Sequence, residues 1–98
     1  MFKNLNCDLI KNEENKVIFE RISSIEETQK IIQILNENNI NEIIITETSS
    51  DLFEKLEIFQ EAGFKLSGIT KFDCGERTFN WEEKTEEVVY QKGMLLVK

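Results

Sequence analysis

Apolar and polar positions change period repeatedly along this chain. From Phe2 to Ile10, apolar residues at 2, 5, 7 and 9 alternate loosely. The polar run Lys11-Asn12-Glu13-Glu14-Asn15 then leads into Val17-Ile18-Phe19-Glu20-Arg21-Ile22. Two short extended segments around a polar interval predict an antiparallel hairpin. After Ser23 the period lengthens. Ile25, Thr28, Ile32 and Leu35 form one helical stripe, widened by Ile31 and Ile34, which predicts a helix with one broad apolar face to about Asn38. Ser24 with Glu27 fits a capping box at its start, and Asn38-Asn39 can supply the left-handed residue that stops it.

Ile43-Ile44-Ile45 puts branched apolar groups on both faces of a strand, the mark of an interior strand covered on both sides. A helix joins it to the strand at 17–22, so the two predict a parallel βαβ unit. Asp51 is placed to cap a second helix, with Leu52, Phe53, Leu56, Phe59 and Ala62 as its buried face. Gly63 follows where a left-handed residue ends a helix, and Phe64 should pack back on Phe59. The pattern then turns to β: Lys65 to Asp73, a turn at Gly75-Glu76, an extension at Thr78 to Trp81, a break at 82–86, and a final strand from Val88 to Leu96 with Gly93 as a bulge. The expected fold is α/β, ββαβαββ, one domain over residues 1–98, with a mixed, mostly antiparallel sheet and two helices.

Composition narrows the chemistry. Ninety-eight residues supply one core, and thirteen isoleucines fill much of it. The net charge is −7, with acidic residues along the whole length. Such a surface repels phosphate backbones, so nucleic acid is not an expected partner. No apolar run approaches the ~20 residues of a membrane span, so no membrane association is expected. Cys7 and Cys74 read as free thiols, and with no signal-like N-terminus they predict a cytoplasmic protein. The absence of histidine removes every Ser-His or Cys-His catalytic pair and every histidine metal ligand. The Glu82-Glu83 and Glu86-Glu87 run lacks the spacing of a calcium loop and reads as a solvated loop, so no metal is expected. Trp81 beside it is expected to be exposed and available for contact.

The order ββαβαββ, with Glu61-Ala62-Gly63-Phe64-Lys65, Gly68-Ile69, Val88-Val89-Tyr90 and Met94-Leu95, resembles the C-terminal portion of a Gcn5-related N-acetyltransferase, a truncated acyl-CoA N-acyltransferase fold. The resemblance covers residues 2–97 by topology and 42–72 by residue type. It implies that 17–22 is the strand before the cofactor loop, that 25–38 is the cofactor helix, and that 43–46 splays from its neighbour to admit acetyl-CoA. The family's loop reads Gln/Arg-x-x-Gly-x-Gly/Ala, in which glycines let bare amides reach a pyrophosphate. The matching segment here, Arg21-Ile22-Ser23-Ser24-Ile25-Glu26-Glu27, has no glycine and carries two glutamates. The family's leaving-group tyrosine falls on Phe59 and its asparagine on Leu52.

These departures lead to a degenerate acetyltransferase-like domain acting as a small binding or regulatory module, with no cofactor expected. One alternative is an active N-acetyltransferase of reduced size, for which acetyl-CoA would be the cofactor; another is an unrelated α/β domain with a coincidental Ala62-Gly63-Phe64, which an absence of splay between strands 17–22 and 43–46 would favour. Ligand-binding candidates are the two hydroxyl-rich loops at the carboxyl ends of the strands, Ser23 and Ser24 in one and Glu47, Thr48, Ser49 and Ser50 in the other. Helix capping explains the same serines. Catalytic candidates are Glu20, expected to face away from Phe19, and Tyr90 on the last strand. An ordinary exposed glutamate and a half-buried sheet tyrosine are the favoured readings of those positions. A half-sized sheet leaves the edge of the 2–22 hairpin open, which predicts a homodimer or another protein partner.

Overall fold

Ile43, Ile44 and Ile45 are all buried, because the short strand that carries them lies mid-sheet with side chains packed above and below. The computed structural model describes residues 2, 5–46 and 49–98. Its elements are β1 (Cys7–Asn12), β2 (Lys16–Ile22), α1 (Ile25–Glu37), β3 (Glu42–Ile45), α2 (Leu52–Glu61), β4 (Lys65–Asn80) and β5 (Thr85–Val97). The sheet order is β1-β2-β3-β5-β4. Only the β2–β3 pair is parallel, and the others are antiparallel. This is the expected α/β fold, ββαβαββ, with a mixed five-stranded sheet and two helices.

Both helices lie on one face of the sheet. Ile31, Ile32 and Leu35 of α1 and Leu56 and Phe59 of α2 close over Val17, Phe19, Ile43, Ile45 and Leu96. Ile18 and Ile44 point to the other face, where Phe72 of β4 covers them with Ile10, Cys74 and Leu95 alongside. The turn after α2 is the best-determined local feature. Gly63 sits at φ 100°, its amide donates to Gln60 O (3.0 Å), and the Phe64 amide donates to Phe59 O (2.9 Å). That pairing is the two-bond stop that glycine permits. Phe59 and Phe64 are fully buried and meet edge to face at 6.0 Å. Burying a phenylalanine is worth about 1.5–3 kcal/mol, and the edge-to-face contact adds ~0.5–1.5 kcal/mol. At the end of α1, Asn39 takes the left-handed conformation, φ 55°.

Several local expectations are corrected. The first strand begins at Cys7, and Phe2 instead packs edge to face on Phe19. Residues 65–80 form one strand and not two, because Cys74-Gly75-Glu76 bulge out opposite Val89 and pairing resumes at Arg77. The last strand starts at Thr85, and Gly93 is no bulge: it pairs with Thr70 in regular register. On α2, Phe53 is 80% exposed, and the buried position one turn into the helix is Lys55. The stripe Leu52, Lys55, Leu56, Phe59 has regular helical spacing. An apolar count misses it because lysine occupies one place.

The β4–β5 hairpin outruns the rest of the sheet. The molecule measures 49 × 25 × 22 Å with a radius of gyration of 14.8 Å, against about 13 Å for a compact chain of this length. From Glu76 to Val88 every residue is exposed or nearly so, and this projecting arm accounts for the elongation.

Candidate functional site

The sheet has a slot where its central strand stops short. β3 ends at Ile45, paired with Phe19 on one side and Met94 on the other. β2 continues through Glu20, Arg21 and Ile22, while β5 approaches from Thr85. Past β3 these two strands face each other across a gap. Thr46 closes its floor: its amide donates to Phe19 O (3.0 Å) and its hydroxyl lies 3.4 Å from the same oxygen. The resulting cleft of about 720 Å³ is lined by Asp8, Glu20, Arg21, Thr46, Ser49, Gln91 and Lys92. A smaller depression of about 250 Å³ continues it past Glu20 and Gln91 to Leu9, Ile10, Cys74 and Glu76.

A bulge in β2 aims the charged wall. Leu9 lies opposite Phe19 and Asp8 opposite Arg21, so Glu20 has no partner across the β1 ladder. The extra residue resets the alternation, so Phe19 and Ile22 both enter the helix-side core while Glu20 and Arg21 stay exposed. Arg21 Nε then reaches Asp8 Oδ2 at 3.0 Å. Among the described residues, Glu20 and Lys92 make no ion pair. The slot thus offers two acids, two bases and two hydroxyls, and among the described residues no side chain is hydrogen-bonded to the Glu20 carboxylate.

The sequence-predicted residues divide. Glu20 and Ser49 line the slot. Ser23 and Ser24 do not, and Ser24 is a helix cap whose hydroxyl accepts from the Glu27 amide at 3.2 Å. Ser50 is exposed beside the slot loop. Glu47 and Thr48 lie outside the described residues. Tyr90 is 60% exposed, more open than the half-buried position expected of it. Asp8, Arg21, Thr46, Gln91 and Lys92 were not singled out in the sequence. No local signal brings them together, since β1 and β5 meet this place only through the sheet order.

The approach to α1 is closed by its own neighbours. Ser23 N donates to Asn6 O (3.1 Å), and Asn6 N donates to the Glu27 carboxylate (3.2 Å). Glu27 therefore does not reach back to complete the expected capping box; it straps the segment before β1 across the helix end. The Thr28 amide and hydroxyl both donate to Ser24 O. From beneath, the buried Lys55 ammonium donates to Ile22 O and lies 3.1 Å from Asp51 Oδ1. Asp51 has no cap bond from its side chain to the helix amides; it accepts from the Ser49 hydroxyl at 2.8 Å. These two partners hold its carboxyl below the usual range, the Ser49 bond first and Lys55 second. Cys7 beside the strap is pushed upward, chiefly by burial and then by Glu27 and Asp8, against a smaller opposing pull from Arg21. Its thiol is disfavoured as a nucleophile.

Among the described residues, no group of three or more Cys, Asp or Glu side chains could hold a metal ion. No helix among them is long and apolar enough to cross a membrane. A family model described as Domain of unknown function (DUF7698) matches residues 3–92. Comparison with curated proteins and with solved structures gives no match.

Proposed function

We propose that this chain, which belongs to the DUF7698 family, is an acetyltransferase-like binding module that does not bind acetyl-CoA strongly and receives a small polar ligand or partner segment in the slot beyond β3. The observation that carries this reading is the acidic, partly capped start of α1. A pyrophosphate would need bare amides there. Of the first-turn amides, Glu27 N already serves the Ser24 hydroxyl; just before the turn Ser23 N serves Asn6 O, and Asn6 is strapped across by Glu27. Glu26 and Glu27 add like charge in the first turn. At 4 Å each would repel a phosphate charge by ~1 kcal/mol even at the dielectric of water. These residues do not fit coenzyme A.

The slot supports the binding half of the reading. Its walls are strand edges that β3 leaves behind, and Glu20 and Lys92 project there without partners among the described residues. A ligand with both a donor and an acceptor end matches that charge distribution. The splay that the resemblance implies is absent, since all four residues of β3 pair with β2; this counts against the acetyltransferase resemblance and favours an unrelated α/β domain. The opening comes from β3 being short.

Calorimetric titration with acetyl-CoA tests the reading. The expected result is no saturable heat at micromolar concentrations. Stoichiometric micromolar binding, with acetyl transfer that fails in Glu20→Gln, would replace it with a working N-acetyltransferase of reduced size.

A further inference from the structure

The arm formed by the outer halves of β4 and β5 has two unlike faces. Cross-strand pairing puts Arg77 opposite Val88, Phe79 opposite Glu86, Asp73 opposite Tyr90, Lys71 opposite Lys92 and Ile69 opposite Met94. Paired residues share a face, and alternation puts the even-numbered residues of β5 on one side. That face carries Ile69, Phe79, Val88 and Tyr90 interleaved with Lys71, Asp73, Arg77, Glu86 and Lys92, and Trp81 extends its apolar part by packing on Phe79 at 4.6 Å. All five apolar side chains are exposed, Trp81 by 82% and Ile69 by 76%. The other face carries Thr78, Asn80, Glu87 and Gln91. A two-stranded ribbon with five large apolar side chains in water is marginal alone. Yet this one is built to hold its shape. Asn80 Oδ1 accepts from the amides of Glu82 and Glu83, and Arg77 forks onto both oxygens of Asp73.

The charges on that face say what covers it. At the root, Lys71 and Lys92 stand directly opposite each other, an arrangement that costs stability in an isolated pair of strands. At the tip stand Glu82, Glu83 and Glu86. We propose that two copies of this chain stack these arms face to face and antiparallel, about a two-fold axis near Val88 and Tyr90. The same patch then serves both subunits, as a two-fold interface requires. The acidic tip of each arm lands on the lysine pair of the other, with Lys92 over Glu86 of the second copy. The exposed parts of Phe79, Trp81 and Tyr90 alone amount to on the order of 400 Å², about half of what a standard interface buries per partner. Neither edge strand offers a comparable contact. β1 is broken by two register shifts, and β4 is blunted by bulges near Ser67 and Gly75 and by Lys65 and Lys71. The interface shares Lys92 with the rim of the slot and otherwise lies beyond it.

Sedimentation equilibrium of the full chain tests it. A reversible monomer–dimer equilibrium is expected across micromolar concentrations, weakening as salt rises, with Trp81 emission shifting to the blue as dimer forms. The double variant Phe79→Ser with Trp81→Ser should be monomeric with an unchanged far-ultraviolet spectrum, since both rings lie outside the core. Lys92→Glu should weaken the dimer about tenfold or more, a loss of ~1.4 kcal/mol, and adding Glu86→Lys should restore it. A single 11.5 kDa species throughout would overturn the proposal and assign the face to a different protein or a membrane surface. A dimer indifferent to both sets of variants would overturn it in favour of edge pairing.

Discussion

Gly93 shows how much one missing side chain decides. A Cβ added there would stand 2.5 Å from Ile44 Cγ2 and 3.2 Å from the Ile45 carbonyl, so β5 approaches β3 only because residue 93 is bare. Gly93→Ala should destabilise the fold by about 1–3 kcal/mol through overpacking. Urea denaturation would register it as a lower midpoint at unchanged slope; an unchanged midpoint would mean that β5 is not seated against Ile44. The sequence marks the glycine but not its reason, because its neighbour is far away along the chain. Gly63-Phe64 is the opposite case. Its partners are Phe59 and Gln60, all within one turn, and it was fully legible. Lys55 was illegible for another reason. Hydropathy assigns lysine to solvent, whereas here the ammonium is held inside by the Asp51 carboxylate and the Ile22 carbonyl. Phe53 took its place in the expected core and lies in water instead.

Elements were legible where their periodicity is local. Both helices and the isoleucine strand follow from spacing alone. The length of the β4–β5 hairpin does not, because the Cys74–Glu76 bulge interrupts the pattern and imitates a turn between two strands. Asp73 clasps that bulge, accepting from Arg77 at 2.9 and 3.0 Å and from the Gly75 amide at 2.9 Å. Arg77 first, and the Gly75 amide next, hold the Asp73 carboxyl below its usual value. A depressed carboxyl contributes stability that is fully present above the unfolded value of ~3.9 and is lost as pH falls through the lower folded value. The clasp should therefore be intact at neutral pH and release only in acid. Following the Gly75 amide resonance by NMR should give a midpoint below that of an ordinary aspartate, and Asp73→Asn should abolish the transition. A midpoint at or above the ordinary value would mean the clasp does not form in solution. The slot also belongs to this scale. Glu20 and Ser49 could be nominated from the sequence, but the other walls appear only once β5 is inserted beside β3.

At the scale of the whole molecule, a chain of net charge −7 folds around two close-packed clusters and leaves two features unspent, a mixed-charge slot and a projecting arm. The proposed function rests on those features and on the acidic, partly capped start of α1. The central proposal is that this turn does not hold coenzyme A, and titrating isotope-labelled protein with coenzyme A while following the amide resonances of Ser23 to Glu27 tests it most directly. Those resonances should stay fixed to millimolar ligand if the first-turn glutamates Glu26 and Glu27 and the Asn6 strap keep a pyrophosphate away. Saturable shifts confined to that turn would contradict the account.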